Sequence, residues 1–243
     1  MTPSLPLLPI SDRLDQLGMA LAQGNRAVLS APPGAGKTTI VPLHLLGQPW
    51  RGNGRIILLE PRRLAARAAA SRMAGLLDEA VGETVGYRMR LDNRISGRTR
   101  IEVVTEGVFV RMILDDPELT GVSAVLFDEF HERSLDADLG LALALDAQSA
   151  LRPDLRIVVM SATLDIERIG QLLEDPPVII SEGRSFPVEI RHRDRSGDER
   201  IEDAVTATIL KTLSDETGSI LVFLPGQAEI RRTVERLENR IGQ

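Results

Sequence analysis

The sequence has no cysteine, which excludes disulfides, thiolate zinc sites and cysteine nucleophiles at once. Aromatic residues are scarce at 3%, so Leu, Ile, Val and Ala must build the core. Positive charge is in deficit, with 29 Lys and Arg against 35 Asp and Glu, and the net charge is −6. A chain this acidic does not hold nucleic acid by bulk attraction, so any such contact needs a local patch. No apolar run approaches the roughly 18 residues that cross a bilayer. The opening, Met1-Thr-Pro-Ser-Leu-Pro-Leu-Leu-Pro-Ile10, lacks the basic start of a secretory leader. These absences predict a cytoplasmic protein with no membrane partner.

What is present is an alternation. Short apolar runs at Ala27–Ser30, Arg55–Glu60, Ile101–Thr105, Ala124–Asp128 and Arg156–Ser161 read as strands covered on both faces. Helices are expected near Lys37–Leu46, Arg63–Leu77, Glu106–Leu114, Asp136–Leu151 and Ile166–Leu173. This βαβα order predicts an α/β fold, a parallel sheet with helices on both faces. A break falls near Asp175-Pro-Pro-Val178, which runs on to a short apolar stretch ending at Ser181. A second alternation then follows: strands over Phe186–Arg191 and Ser219–Leu224, helices over Ile201–Leu213 and Gln227–Arg240. The reading is a complete domain at 1–180 and the incomplete opening of a second at 184–243, with the chain end read as a truncation.

Ala31-Pro-Pro-Gly-Ala-Gly-Lys-Thr38 follows a strand and opens a helix, the context of a phosphate-binding loop. Glycines let backbone N–H groups converge on phosphate oxygens at a positive helix end. Gly34, Ala35, Gly36, Lys37, Thr38 and Thr39 form the candidate nucleotide set, with Lys37 reaching the outer phosphates and the Thr38 hydroxyl meeting Mg²⁺. A strict pattern has glycine where Ala31 stands, and a Gly-rich turn before a surface helix is the plainer alternative. Val125-Leu-Phe-Asp-Glu-Phe-His-Glu132 ends a hydrophobic strand in two carboxylates. Asp128 suits the metal and Glu129 the attacking water; a solvated acidic strand end would read the same. Ser161-Ala-Thr163 ends the next strand, where hydroxyls can bond the acidic strand beside it or simply cap the following helix.

In order, Gly-Lys-Thr, Pro61-Arg-Arg, Thr105-Glu-Gly, Asp-Glu-Phe-His, Ser-Ala-Thr and Phe223-Leu-Pro-Gly226 resemble superfamily 2 helicases of the DEAH/RHA group. Phe130 in the acidic box and the Ala-Pro-Pro-Gly-Ala-Gly-Lys loop make the chain similar to the bacterial HrpB-type ATP-dependent helicases. The resemblance spans the whole chain. It implies two RecA-like domains of the P-loop NTPase class, ATP and Mg²⁺ as cofactors, and a monomer that moves along single-stranded RNA, or DNA, at the expense of ATP. By the same resemblance Lys37, Asp128 and Glu129 are catalytic, and Thr38 and Asp128 hold the metal. His131, Ser161 and Thr163 couple the nucleotide to the strand. Arg62, Arg63, Thr105 and Gly107 contact the nucleic acid, and Arg72 stacks on adenine. Gly86-Tyr-Arg-Met-Arg90 also matches the group. The arginine motif that the second domain should supply is absent from these 243 residues, so the chain alone is expected to bind nucleotide through half a site and hydrolyse it poorly.

Only two of the 29 basic residues are lysine, Lys37 and Lys211. Arg88, Arg90, Arg94, Arg98 and Arg100 fall within thirteen residues, either a phosphate-binding patch or a solvated loop. Trp50 and Tyr87 are too isolated to form a base-stacking platform. Two other readings stay open: a P-loop ATPase or kinase with a small-molecule acceptor, or acting as a non-helicase nucleotide switch, and a non-catalytic nucleotide-binding scaffold that uses the loop for assembly. Pro61-Arg-Arg and Thr105-Glu-Gly, placed after the second and third strands of the core, are the discriminator, since a small-molecule kinase needs neither.

Overall fold

The computed structural model describes residues 6–162, 166–183 and 187–241. The chain divides into two compact units, Met1–Ser185 and Phe186–Gln243.

The first unit is built on eight strands: β1 Arg26–Ser30, β2 Arg55–Leu59, β3 Val85–Met89, β4 Asp92–Arg94, β5 Ile101–Val104, β6 Val122–Phe127, β7 Arg156–Ser161 and β8 Val178–Ile180. They form one sheet in the order β4-β3-β5-β2-β6-β7-β1-β8, parallel throughout except for β4. The helices are α1 Leu14–Gln23, α2 Lys37–Leu45, α3 Arg63–Leu76, α4 Glu106–Asp115, α5 Leu135–Ala150 and α6 Ile166–Leu172. The parallel α/β sheet expected from the alternation is therefore formed, with boundaries shifted by one or two residues.

Side-chain alternation sorts the strands into two cores. Leu29, Ile56, Leu58, Val103 and Leu126 pack on one face against Leu17 and Leu21 of α1, Ile40 of α2 and Met73 of α3. Val28, Ile57, Leu59, Val104, Val125 and Val159 pack on the other face against Phe109 of α4 and Leu141 of α5. Phe127 sits at the centre of this second core, edge-to-face on Phe109 at 5.7 Å and on Phe130 at 6.2 Å. Truncating Phe127 to Ala would cost about 3–5 kcal/mol on the usual scale for a buried aromatic.

Three elements were not expected here, α1, β3 and β4. α1 lies where the sequence showed only a non-leader opening. The Arg-rich stretch contains a tight antiparallel hairpin, with Tyr87 opposite Arg94 and Met89 opposite Asp92. Leu91 makes the turn at φ +63°. Tyr87 is buried, its hydroxyl donating to Asp92 Oδ1 at 3.2 Å with the Arg67 guanidinium 5.9 Å from the ring centre.

The second unit is a helical pair, α7 Ile201–Asp215 and α8 Gln227–Ile241. It is clamped by Arg232 on Glu202 (2.9 Å) and Arg236 on Asp203 (2.7 Å). Here the sequence reading needs correction. The strand expected over Phe186–Arg191 is not formed at 187–191, Phe186 itself lying outside the described residues, and Ser219–Leu224 is not a strand either. A strand exists only through lateral pairing, and among the described residues these segments have no paired neighbour; Leu221 and Phe223 stand exposed.

Candidate functional site

Parallel strands bring their carboxyl ends to one edge, and the candidate residues collect there. From Ser30 the chain turns through residues 31–36 into α2. Gly34 and Gly36 hold φ of +77° and +100°, a region open to glycine. Ala31 is not left-handed; its N–H donates to Ser161 O at 3.1 Å and its methyl is buried, so this position does not require glycine. Lys37, 3% exposed, turns its ammonium onto the loop's own carbonyls, Ala31 O at 2.6 Å and Pro32 O at 3.3 Å. A phosphate in the loop would offer Nζ stronger, charge-assisted acceptors.

Asp128 follows β6 and is 3% exposed. Its Oδ1 accepts the Glu129 N–H at 2.8 Å. Oδ2 is buried without a hydrogen-bond partner among the described residues. Burial pushes this carboxyl up to about 6. The facing Thr38 side chain, the Glu129 N–H and Lys37 favour the charged form, while Glu129 opposes it. An orphaned buried carboxylate oxygen beside a threonine hydroxyl fits a hard divalent cation. No group of three or more His, Cys, Asp or Glu that could hold a metal exists among the described residues. A cation here would therefore take one carboxylate and one hydroxyl from the protein, as Mg²⁺ does when phosphates and water complete its shell.

Glu129 is left-handed at φ +47°, ψ +33°, an uncommon conformation for a non-glycine residue. His131, in the single turn Phe130–Glu132, accepts the Ala162 N–H on Nδ1 at 3.2 Å and keeps the same nitrogen 3.4 Å from Glu129 Oε2. The ring thus links the acid after β6 to the Ser161-Ala162 end of β7. Ser161 is fully buried. Thr163 lies outside the described residues.

Reading the sequence alone missed Glu60. Leu59 pairs with Phe127, so Glu60 emerges beside Asp128 from the neighbouring strand. It is 5% exposed and its carboxyl is pushed up to about 8, first by burial and then by Asp128 and Glu129. The signal was available: a carboxylate directly after a buried run, Ile56 to Leu59, as at Asp128.

The two arginines after Pro61 part company. Arg62 donates to Glu132 at 2.6 Å and lines a cavity of about 420 Å³ with Thr38, Thr39, Glu60, Arg72 and Glu129. Arg63 turns into a separate groove of about 780 Å³ with Arg88, Arg90, Thr105 and Gly107. Thr105 precedes α4 as its N-cap without using its side chain to cap it, and so leaves the hydroxyl available to the groove. Of the four expected strand contacts, the structure gathers Arg63, Thr105 and Gly107 and sets Arg62 on the phosphate-loop side.

No helix of the described residues is long and apolar enough to cross a membrane. Residues 15–172 match the DEAD/DEAH box helicase family. The chain is 56% identical over 235 residues to the ATP-dependent RNA helicase HrpB of Escherichia coli, covering 97% of this chain and 29% of that protein. It is 33% identical over 236 residues to the HrpA homolog of Haemophilus influenzae, an ATP-dependent RNA helicase, covering 96% of this chain and 18% of that one. The crystal structure of the E. coli DEAH/RHA helicase HrpB superposes with a TM-score of 0.89, covering 98% of this chain and 30% of its own. This chain therefore spans under a third of the length of these relatives, and its sheet is the RecA-like α/β fold they carry. With a Gly-Ala-Gly-Lys-Thr turn into α2, an Asp-Glu-Phe-His box at the end of β6 and a match running from α1 to α6, the chain belongs to the DEAD/DEAH box helicase family.

Proposed function

We propose that this chain is the ATP-binding part of an ATP-dependent RNA helicase, which hydrolyses ATP to move along or unwind a single strand. One observation carries the reading: Lys37 and Thr38 of the phosphate loop meet a buried Asp128 with an unpartnered oxygen, next to the left-handed Glu129. The α2 N-terminus and the backbone of residues 34–39 would bind the phosphates. Lys37 would leave Ala31 O and Pro32 O for the β- and γ-phosphate oxygens. Thr38 and Asp128 would hold Mg²⁺, which when bound neutralises charge on the phosphates. Glu129 would orient the attacking water and accept its proton as the γ-phosphorus–oxygen bond breaks. His131, through Nδ1, would keep Glu129 aimed and relay its position to Ala162 and Ser161. Arg72 would lie along the base, and Arg63, Thr105 and Gly107 would take the strand; RNA is preferred here to DNA because the relatives are named RNA helicases. The second unit would open a second RecA-like domain within a single chain, and the fitting compartment is the cytoplasm, where ATP and RNA occur together.

Equilibrium binding of a fluorescent ADP analogue with Mg²⁺ tests the site. Lys37→Ala should weaken binding by roughly 10- to 100-fold, the scale of a charge-assisted contact. Unchanged affinity would refute the reading.

A further inference from the structure

The fold breaks the arginine cluster apart. Arg94 lines a cavity with Arg67, Tyr87 and Asp92, away from the groove. Arg98 pairs with Glu83 at 2.5 Å. Arg100 donates to the carbonyls of Gly97 and Thr99 at 3.1 and 3.0 Å. Only Arg88 and Arg90 reach the groove that holds Arg63, Thr105 and Gly107.

Arg88 is held there in an unusual way. On β3 it stands opposite Val104, on the sheet face that also carries Ile57 and Glu102. Towards β3 the apolar core of that face gives way to charge. The Glu102 side chain is only 1% exposed, receiving Arg88 Nε on Oε1 at 2.5 Å and Arg55 Nη1 on Oε2 at 3.0 Å. A fully desolvated carboxylate is tolerable only with such partners. Two cations on one anion leave the triad with a surplus positive charge. Arg88 uses Nε alone; its two terminal nitrogens make no hydrogen bond to the protein among the described residues. Its side chain is 36% exposed, at the groove. A guanidinium fixed at Nε with its outer fork free is built for bidentate contact with a phosphate, and lysine could not serve both ends at once. The neighbouring Arg111 is answered by Asp115 at 3.7 Å. Arg63 donates to Arg90 O at 3.3 Å and so braces the turn beside it.

We infer that Arg88, anchored by Glu102, is a backbone-phosphate contact for the single strand bound in this groove, with Glu102 its positioning residue. The inference rests on the proposed reading of the groove as the strand path.

The test is fluorescence anisotropy of a labelled 12-nucleotide oligouridylate with the 243-residue chain, measured across a KCl series. Arg88→Gln should weaken binding about tenfold and lower the slope of log K against log salt by about 0.7, one single-strand phosphate contact. Arg55→Gln is the control, because it removes the other partner of Glu102 without touching the groove. It should lower thermal stability as Arg88→Gln does, yet keep RNA affinity within about twofold and leave the slope unchanged. Wild-type affinity and slope in Arg88→Gln would overturn the inference and leave the function standing. An equal RNA loss in Arg55→Gln would reduce the triad to a structural clamp, and also overturn it. No RNA binding by the unmodified chain at 50 mM salt, with ADP still bound, would overturn both the strand path and the inference.

Discussion

Replacing Glu60 by glutamine should stabilise the protein in alkaline solution and much less in acid. Glu60 directly follows β2 beside Asp128, nearly excluded from solvent, with its carboxyl at about 8 against an ordinary 4.5. The folded state thus holds this proton more tightly than the unfolded chain. Stability from the group is fully present below about 4.5 and is lost as pH rises through about 8. At about 1.4 kcal/mol per pH unit, the part of this interval above pH 5.5 corresponds to roughly 3.4 kcal/mol. The site has a solvent-facing edge and its carboxylates titrate together, so we reduce the figure to about 2 kcal/mol. Glutamine keeps the shape and removes the titration. The stability advantage of Glu60→Gln over wild type should therefore be about 2 kcal/mol larger at pH 8.5 than at pH 5.5. For a chain of this size that is about 4–8 °C in Tm. Asp128, raised to about 6, adds a loss of the same sign between about pH 4 and 6, a window largely below the two pH values compared. Circular dichroism melts at both pH values are sufficient. An advantage equal at the two pH values would refute the raised carboxyl of Glu60, and with it the effect of burial beside Asp128 and Glu129.

The remaining predictions use the same melts. Gly36→Ala forces a methyl to 2.8 Å from Leu8 Cδ1 and 3.1 Å from Ile40 Cγ1 at φ +100°, whereas Gly34→Ala at φ +77° meets nothing within 4 Å. The first should cost about 2–4 kcal/mol and the second about 1 kcal/mol; equal losses would show that packing around Gly36 is irrelevant. Glu129→Gly should raise Tm by about 2–4 °C by releasing roughly 1 kcal/mol of left-handed strain while ADP affinity stays unchanged; a lower Tm would mean that Glu129 is not strained.

Wherever burial on both faces wrote an unbroken apolar run, the sequence was legible: β1, β2, β5, β6 and β7 lie within two residues of their expected ends. The loop and the acidic box were legible as patterns of fixed residue types at fixed spacing, and the structure brings Thr38 and Asp128 together. β3 and β4 were not, because Gly86 and Arg88 interrupt the apolar residues Val85, Tyr87 and Met89, and nothing local reveals that Arg88 faces the buried Glu102 of the next strand. Ile220 to Phe223 failed for the opposite reason. An apolar run states a tendency to pair, and the helical unit that contains it offers no partner strand among the described residues. Glu60 was missed because its role depends on the register between β2 and β6, which no single segment contains.

That register also shows how one sheet edge could serve the two ligands of the proposed function. β1, β2, β6 and β7 end at the phosphate loop and its acids; β3 and β5 end at the groove. Between them runs the connection from β2 into α3, Glu60-Pro61-Arg62-Arg63. Glu60 answers to Asp128 and Glu129, and Arg62 is tied to Glu132 in the box that follows β6. Arg63, one peptide bond later, braces Arg90 at the groove. On the proposed function, a shift in the acidic box would not have to cross the domain to be felt by a bound strand. Proline at 61 fixes φ and removes one degree of freedom from a four-residue lever. The spacing of this short segment, more than any single side chain in it, is what would have to be preserved for ATP and strand to sense each other. Lengthening it by one residue should uncouple RNA binding from nucleotide binding while leaving each ligand able to bind alone.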